Sequence, residues 1–201
     1  MSVTEQQRRL AEPDSSVPPE GIEAWYMDAL PGDQRAEHRL SPNVPVSLPE
    51  LGKLGVAYWR LPALSSGAWD ADERLAAVRA VRGYDYHDVC DISPATLPDY
   101  ENKIKSFYEE HIHEDEEIRC VLAGSGFFDV RDADDRWIRI KCHPGDMIVL
   151  PAGIYHRFTL DENNYIKALR LFQGVPVWTP LNRPQEEHEA RVKYINEILA
   201  N

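Results

Sequence analysis

The sequence predicts a mainly β chain, an antiparallel sandwich or barrel with a few flanking helices, and three observations carry that reading. From Glu117 to Phe172 it runs in short apolar stretches: EIRCVLAGSG, FFDVRD, WIRIKC, DMIVLPAG, YHRFTL and YIKALRLF. Turn signals separate them at Gly124 to Gly126, Asp132 to Asp135, Pro144-Gly145, Pro151 to Gly153 and Asp161 to Asn164. Helical periodicity is confined to a few segments outside this region. Short strands punctuated at this spacing form packed antiparallel sheets.

Taken in order, residues 1–22 hold Pro13, Pro18 and Pro19 among polar residues and have little to bury, so a flexible tail is expected. Order begins near Trp25, where EAWYMDAL reads as a short strand, and Ser47 can cap a short helix in SLPELGKLG. VAYWRL, residues 56–61, is strand-like again. DADERLAAVRAVRG sets Leu75, Val78 and Val81 near helical spacing, with Asp70 or Asp72 at its start and Gly83 as its stop. LPDYENKIKSFYEEH places Tyr100, Ile104, Phe107 and Tyr108 on one side, with Asp99 as N-cap, and delivers the chain to His111. QEEHEARVKYINEILAN closes the chain as a helix with Val192, Ile195 and Leu199 on one side. The division expected is a tail (1–22), a barrel domain (23–184) and a C-terminal helix (185–201).

With 43% hydrophobic and 28% charged residues, the composition is that of a chain that folds. A net charge of -12 repels phosphate backbones and anionic headgroups, and no basic run offsets it, so neither nucleic acid nor a membrane surface is an expected partner. No window approaches the roughly 18 apolar residues of a membrane span, and the N-terminus lacks an apolar signal core. Cys90, Cys120 and Cys142 are odd in number and widely spaced, which fits buried thiols in a reducing compartment. A cytoplasmic monomer is expected, with passive entry to the nucleus open at 23.0 kDa.

One stretch stands apart. EEHIHEDEEIRCVLAGSG, residues 109–126, sets two histidines in a run of carboxylates at the mouth of an apolar segment. In extended chain, residues of equal parity share a face, so His111, His113, Glu117 and Arg119 can point inward while Ile118, Cys120 and Leu122 point away. A fourth donor would have to come from an adjacent strand, and His156 follows a tight Pro-Ala-Gly turn that can return it to the same mouth. Three imidazoles and a carboxylate, without thiolates, suit a first-row divalent ion such as iron or nickel and leave two positions for a bidentate oxygen substrate. On its own, H-x-H is a short motif that matches by chance. Glu114, Asp115 and Glu116 read as solvated charge, and His38, His87, His143 and His188 as surface or core histidines. GSGFFD has no helix after it and reads as a hairpin turn, not a nucleotide loop.

H-x-H-x(3)-E followed by a glycine, then PGDMIVLPAGIYHRF carrying the last histidine, is similar to the two-part metal motif of the cupins. More narrowly, EEHIHEDEEIR, GSGFFDVRD, WIRI, LPAGIYHRFT, RLF and PVWTPLNRP together resemble the acireductone dioxygenases of methionine salvage, over nearly the whole chain from about Trp25 to past Pro184. The resemblance implies a cupin-type antiparallel β-barrel (double-stranded β-helix) whose one metal ion, Fe(2+) or Ni(2+), is held by His111, His113, Glu117 and His156. It implies the enediol 1,2-dihydroxy-5-(methylsulfanyl)pent-1-en-3-one and dioxygen as substrates. The iron form would yield 4-methylthio-2-oxobutanoate and formate; the nickel form would yield 3-methylthiopropanoate, formate and carbon monoxide. Cys120 and Phe127 depart from the family pattern, and the tail before Glu23 is extra.

Arg119, two residues beyond Glu117, can pair with a substrate oxygen and favour its anion, or form a salt bridge with one of the many acids. Phe107 and Phe158 can wall the methylthio chain, or be core. Two other classes remain open at this point: a metal-binding cupin isomerase that consumes no oxygen, and a non-enzymatic interaction module.

Overall fold

Period-two alternation sorts the strands into two sheets whose apolar faces meet, because a face of that kind is stable only against another. The computed structural model describes residues 3–18, 20–28, 30–177 and 179–200. Pro19 of the expected tail, Ala29 of EAWYMDAL and Trp178 of PVWTPLNRP lie outside them, as do residues 1, 2 and 201. In chain order the elements are α1 (Glu5–Leu10), β1 (Glu23–Tyr26), α2 (Leu48–Lys53), β2 (Ala57–Arg60), α3 (Glu73–Arg82), β3 (Tyr86–Ile92), α4 (Tyr100–Tyr108), β4 (His111–Ile112) and β5 (Glu117–Gly124). They continue with β6 (Gly126–Arg131), β7 (Trp137–Cys142), β8 (Asp146–Leu150), β9 (His156–Leu160), β10 (Ile166–Phe172), β11 (Leu181–Asn182) and α5 (Glu189–Tyr194).

One sheet has the order β1-β7-β6-β9-β4-β11 and the other β2-β8-β5-β10-β3, with every pairing antiparallel. Phe128, Val130, Ile138, Ile140 and Leu160 of the first meet Val121, Ile148, Leu150 and Ile166 of the second in the inner core. The back of the five-stranded sheet carries a second core, where Trp59, Ile118, Cys120, Met147, Val149, Leu169 and Leu171 pack under Leu75, Ala77 and Val78 of α3. The expected mainly β, cupin-type barrel is thus the architecture found.

Local chemistry sets the helix ends. Ser47 and Glu50 form a reciprocal capping box at α2. Asp72 accepts from the Leu75 N–H at 2.7 Å to start α3, and Gly83, at φ 74°, stops it. Asp99 differs from expectation: it stands before α4 at φ 55° and gives no side-chain cap, its carboxylate taking the Asn102 amide at 2.7 Å instead. Val81 is exposed. The closing segment also departs from its expected face. After α5 it continues as a π-helical turn, Ile195–Leu199; Tyr194, Ile198 and Leu199 face the inner core, and Val192 and Ile195 are exposed.

The segment expected as a tail has local structure and contacts of its own. Among the described residues of 1–22, α1 carries a Thr4–Gln7 capping box, and Ala11 is buried against the second core. Trp59 Nε1 donates to the Ala11 carbonyl at 3.1 Å, and Arg74 donates to the carbonyls of Leu10 and Glu12 and to Asp14. Polar bonds hold what apolar area alone would not, so hydropathy did not reveal the docking.

Candidate metal centre

His111 lies on β4 directly opposite His156, the first residue of β9, and Glu117 is the first residue of β5 in the facing sheet. His113 follows β4, where its carbonyl accepts from the Gly153 N–H at 3.0 Å. That bond ties the Pro-Ala-Gly turn to the H-x-H segment. Gly153, at φ 78°, is required there, because a Cβ would run into the Ala190 backbone of α5. Three imidazoles and a carboxylate therefore converge from two sheets, each offering one donor atom within 4.8 Å of the others.

The hydrogen bonds fix which nitrogen each ring presents. Nδ1 of His111 donates to the Glu109 carbonyl at 2.7 Å, and Nδ1 of His156 donates to that of Ile154 at 2.9 Å. Both Nε2 atoms are thereby left as lone-pair donors facing the centre. Among the described residues the His156 Nε2 is buried without a hydrogen-bond partner, although Glu117 Oε2 is 3.4 Å away. An orphaned buried nitrogen aimed at two further imidazoles and a carboxylate fits a bound cation. Among the described residues no cysteine joins the set, so it is not that of a structural zinc site.

Burial, with His156 beside it, pushes the His111 imidazole down to about 4, so it is neutral and able to ligate near pH 7. Burial alone would raise the Glu117 carboxyl, but the Arg119 guanidinium beside it and the His113 imidazole at 3.2 Å outweigh it and hold the group well below the usual carboxylate range. Of the two readings of Arg119, the salt bridge to an acid is present, and the side chain also faces the cavity. Its guanidinium lies 3.4 Å from Glu117 Oε2, donates to the Ile118 carbonyl at 3.0 Å, and lines the cavity in front of the donors.

That cavity has a volume of about 250 Å³ and extends between the sheets from His111, His113 and Glu117. Phe107 and Phe158 both line it, with ring centroids 6.4 Å apart, and Phe158 packs tilted against Phe128 at 5.0 Å. Several lining residues escaped the sequence reading. Cys90 and Ile92 come from β3, a strand hidden by its polar outer residues; the alternation of half-buried Asp88, Cys90 and Ile92 was its one signal. Arg170, of the same parity as Ala168 on β10, also lines the cavity and is paired with Asp88 at 2.6 Å. The three cysteines differ: Cys120 and Cys142 are buried thiols, as expected, with burial pushing Cys120 up to about 12, whereas Cys90 is half-buried at the cavity wall.

The family model described as ARD/ARD' family matches residues 23–180. The chain is 58% identical over 178 residues to acireductone dioxygenase 3 of Physcomitrium patens, covering 89% of this chain and 86% of that protein. It is 58% identical over 179 residues to acireductone dioxygenase of Ixodes scapularis, covering 88% and 96%. Its fold is similar to that of an acireductone dioxygenase from Bacillus anthracis with a cadmium ion in its active centre, at a TM-score of 0.63 and 24% identity over 80% of this chain and 98% of that one. A match running from the first strand through the H-x-H segment and the last histidine to the end of the cavity wall leaves one assignment: the chain belongs to the ARD/ARD' family.

Proposed function

We propose that this chain is an acireductone dioxygenase in which His111, His113, Glu117 and His156 hold one Fe(2+) or Ni(2+) ion. The observation that carries it is the convergence of those four donors, one of them an orphaned buried nitrogen, at the end of an apolar cavity. A divalent ion held there supplies Lewis acidity that stabilises an enediolate. The chain's own groups do the rest. Arg119 presents a permanent charge to the cavity and favours the substrate anion. Phe107 and Phe158 wall the methylthio chain and exclude water, which strengthens the attraction between that charge and the anion. The Glu109 and Ile154 carbonyls lock two imidazoles in one tautomer, so the donors are oriented before anything binds.

The test is reconstitution of metal-free protein, without air, with ferrous iron or nickel, followed by the enediol and oxygen. The iron form is expected to give the keto acid and formate, and the nickel form to release carbon monoxide. His156→Ala is expected to retain less than about a tenth of the metal, in line with the loss of one donor in four. Arg119→Met is expected to slow both reactions without changing either product pattern. Substrate binding with no oxygen uptake in either metal form would defeat the dioxygenase reading.

A further inference from the structure

The cavity is built in rungs across β3 and β10. Nearest the donors, Arg170 stands opposite Asp88 and beside Arg119 of β5. Next, Ala168 stands opposite Cys90; beyond it, Ile166 stands opposite Ile92. Successive rungs are two residues, or about 7 Å, apart along the strands. The first rung is charged and the next two are apolar. A ligand with a charged chelating head and an unbranched apolar tail matches that order.

Within this series the middle rung is the small one. Ala168 ends at its Cβ, and the Cys90 thiol donates to the Ala168 carbonyl at 3.5 Å, which lays the sulfur along its own sheet. Across the cavity Phe158 packs against both Phe107 and Phe128, with Ser106 and Lys103 of α4 also lining the space. Clearance at this depth depends on the residues at 90 and 168, both of which line the cavity, so that an added carbon group there narrows it.

We propose that Cys90 and Ala168 are the specificity-determining pair of the cavity, setting the length of apolar tail that a chelating substrate can carry past the metal centre. The proposal rests on the reading that the four donors hold an ion. Replacing Ala168 by Leu adds an isopropyl group to the floor and shortens the usable tail. Replacing Cys90 by Ala removes the sulfur and lengthens it. Neither residue is one of the four metal donors.

The experiment uses nickel-loaded full-length protein titrated with a ladder of n-alkyl hydroxamates, acetohydroxamate to octanohydroxamate, whose head chelates and whose tail alone varies. For the unaltered protein the affinity is expected to rise about fourfold per methylene over the early part of the ladder, the value of burying each group, and then to level. Ala168→Leu is expected to keep acetohydroxamate affinity within about threefold and to lose at least about tenfold for hexanohydroxamate. Cys90→Ala is expected to move the levelling point to a longer tail. Should Ala168→Leu not fold, Cys90→Leu, at a half-buried position on the same rung, narrows the floor in its place. A variant that lowers every hydroxamate by one common factor, or leaves the ladder unchanged, overturns the proposal. Acireductone turnover is assayed on the same preparations: a tail-dependent ladder without oxygen-dependent cleavage removes the dioxygenase reading and keeps the gauge, and cleavage with a flat ladder does the reverse.

Discussion

Two buried polar clusters lie on opposite faces of the six-stranded sheet, and only one of them is complete. On the outer face Asp129, fully buried, accepts from Arg139 Nε at 2.7 Å and Nη2 at 2.8 Å and from Arg157 Nε at 2.9 Å. The second Arg139 amino group donates to the carbonyls of Gln34 and Ala36. On the inner face, one residue along β9 from Arg157, His156 keeps a buried nitrogen with no partner. A satisfied cluster stabilises a fold, and an unsatisfied one implies a ligand that completes it. The same strands thus serve structure on one side and chemistry on the other.

The largest expected effect breaks the completed cluster. Asp129→Ala leaves two guanidiniums without their carboxylate and is expected to destabilise the protein by about 3–5 kcal/mol in chemical denaturation. Metal stoichiometry in the fraction that stays folded is expected to remain near that of the unaltered protein. His156→Ala is expected to give the opposite pattern, with metal lost and metal-free stability within about 1 kcal/mol, because an unsatisfied group is removed with the ring. Equal stability losses in the two variants would mean that the inner cluster is structural as well.

The second prediction sharpens the contrast by pH. His111 titrates near 6.5 when unfolded and at about 4 when folded, so between those values the unfolded chain binds a proton that the folded one refuses. Metal-free stability is therefore whole above about pH 6.5 and falls as the pH drops towards 4, by roughly 3 kcal/mol for this group. Denaturation midpoints across that window, with and without His111→Gln, measure it: the variant is expected to lose most of the slope.

A smaller effect is expected on the far side of the molecule. Deleting residues 1–20 uncovers Trp59 and strips Arg74 of the Leu10 and Glu12 carbonyls and of Asp14, with an expected loss of about 2 kcal/mol. Metal occupancy is expected to stay unchanged, because α1 packs against α3, which covers the back of the five-stranded sheet, and the donors lie at its front. A drop in occupancy in the folded, truncated protein would show that the two cores are coupled.

The sequence by itself determined the strands from Glu117 to Phe172, the caps at Ser47 and Asp72, and the parity that sends Glu117 and Arg119 to one face. Each of these follows from a period or a local bond that neighbouring residues already specify. It also carried His111, His113 and His156, because a turn and a strand face could be read for each. Only the tertiary structure decided the pairing of His111 with His156, the orphaned Nε2, the charged and apolar rungs that β3 and β10 build together, and the docking of α1 through Arg74 and Trp59. These depend on residues far apart in sequence, whose meeting is set by sheet register and by hydrogen bonds that leave no periodic mark in a chain read one residue at a time.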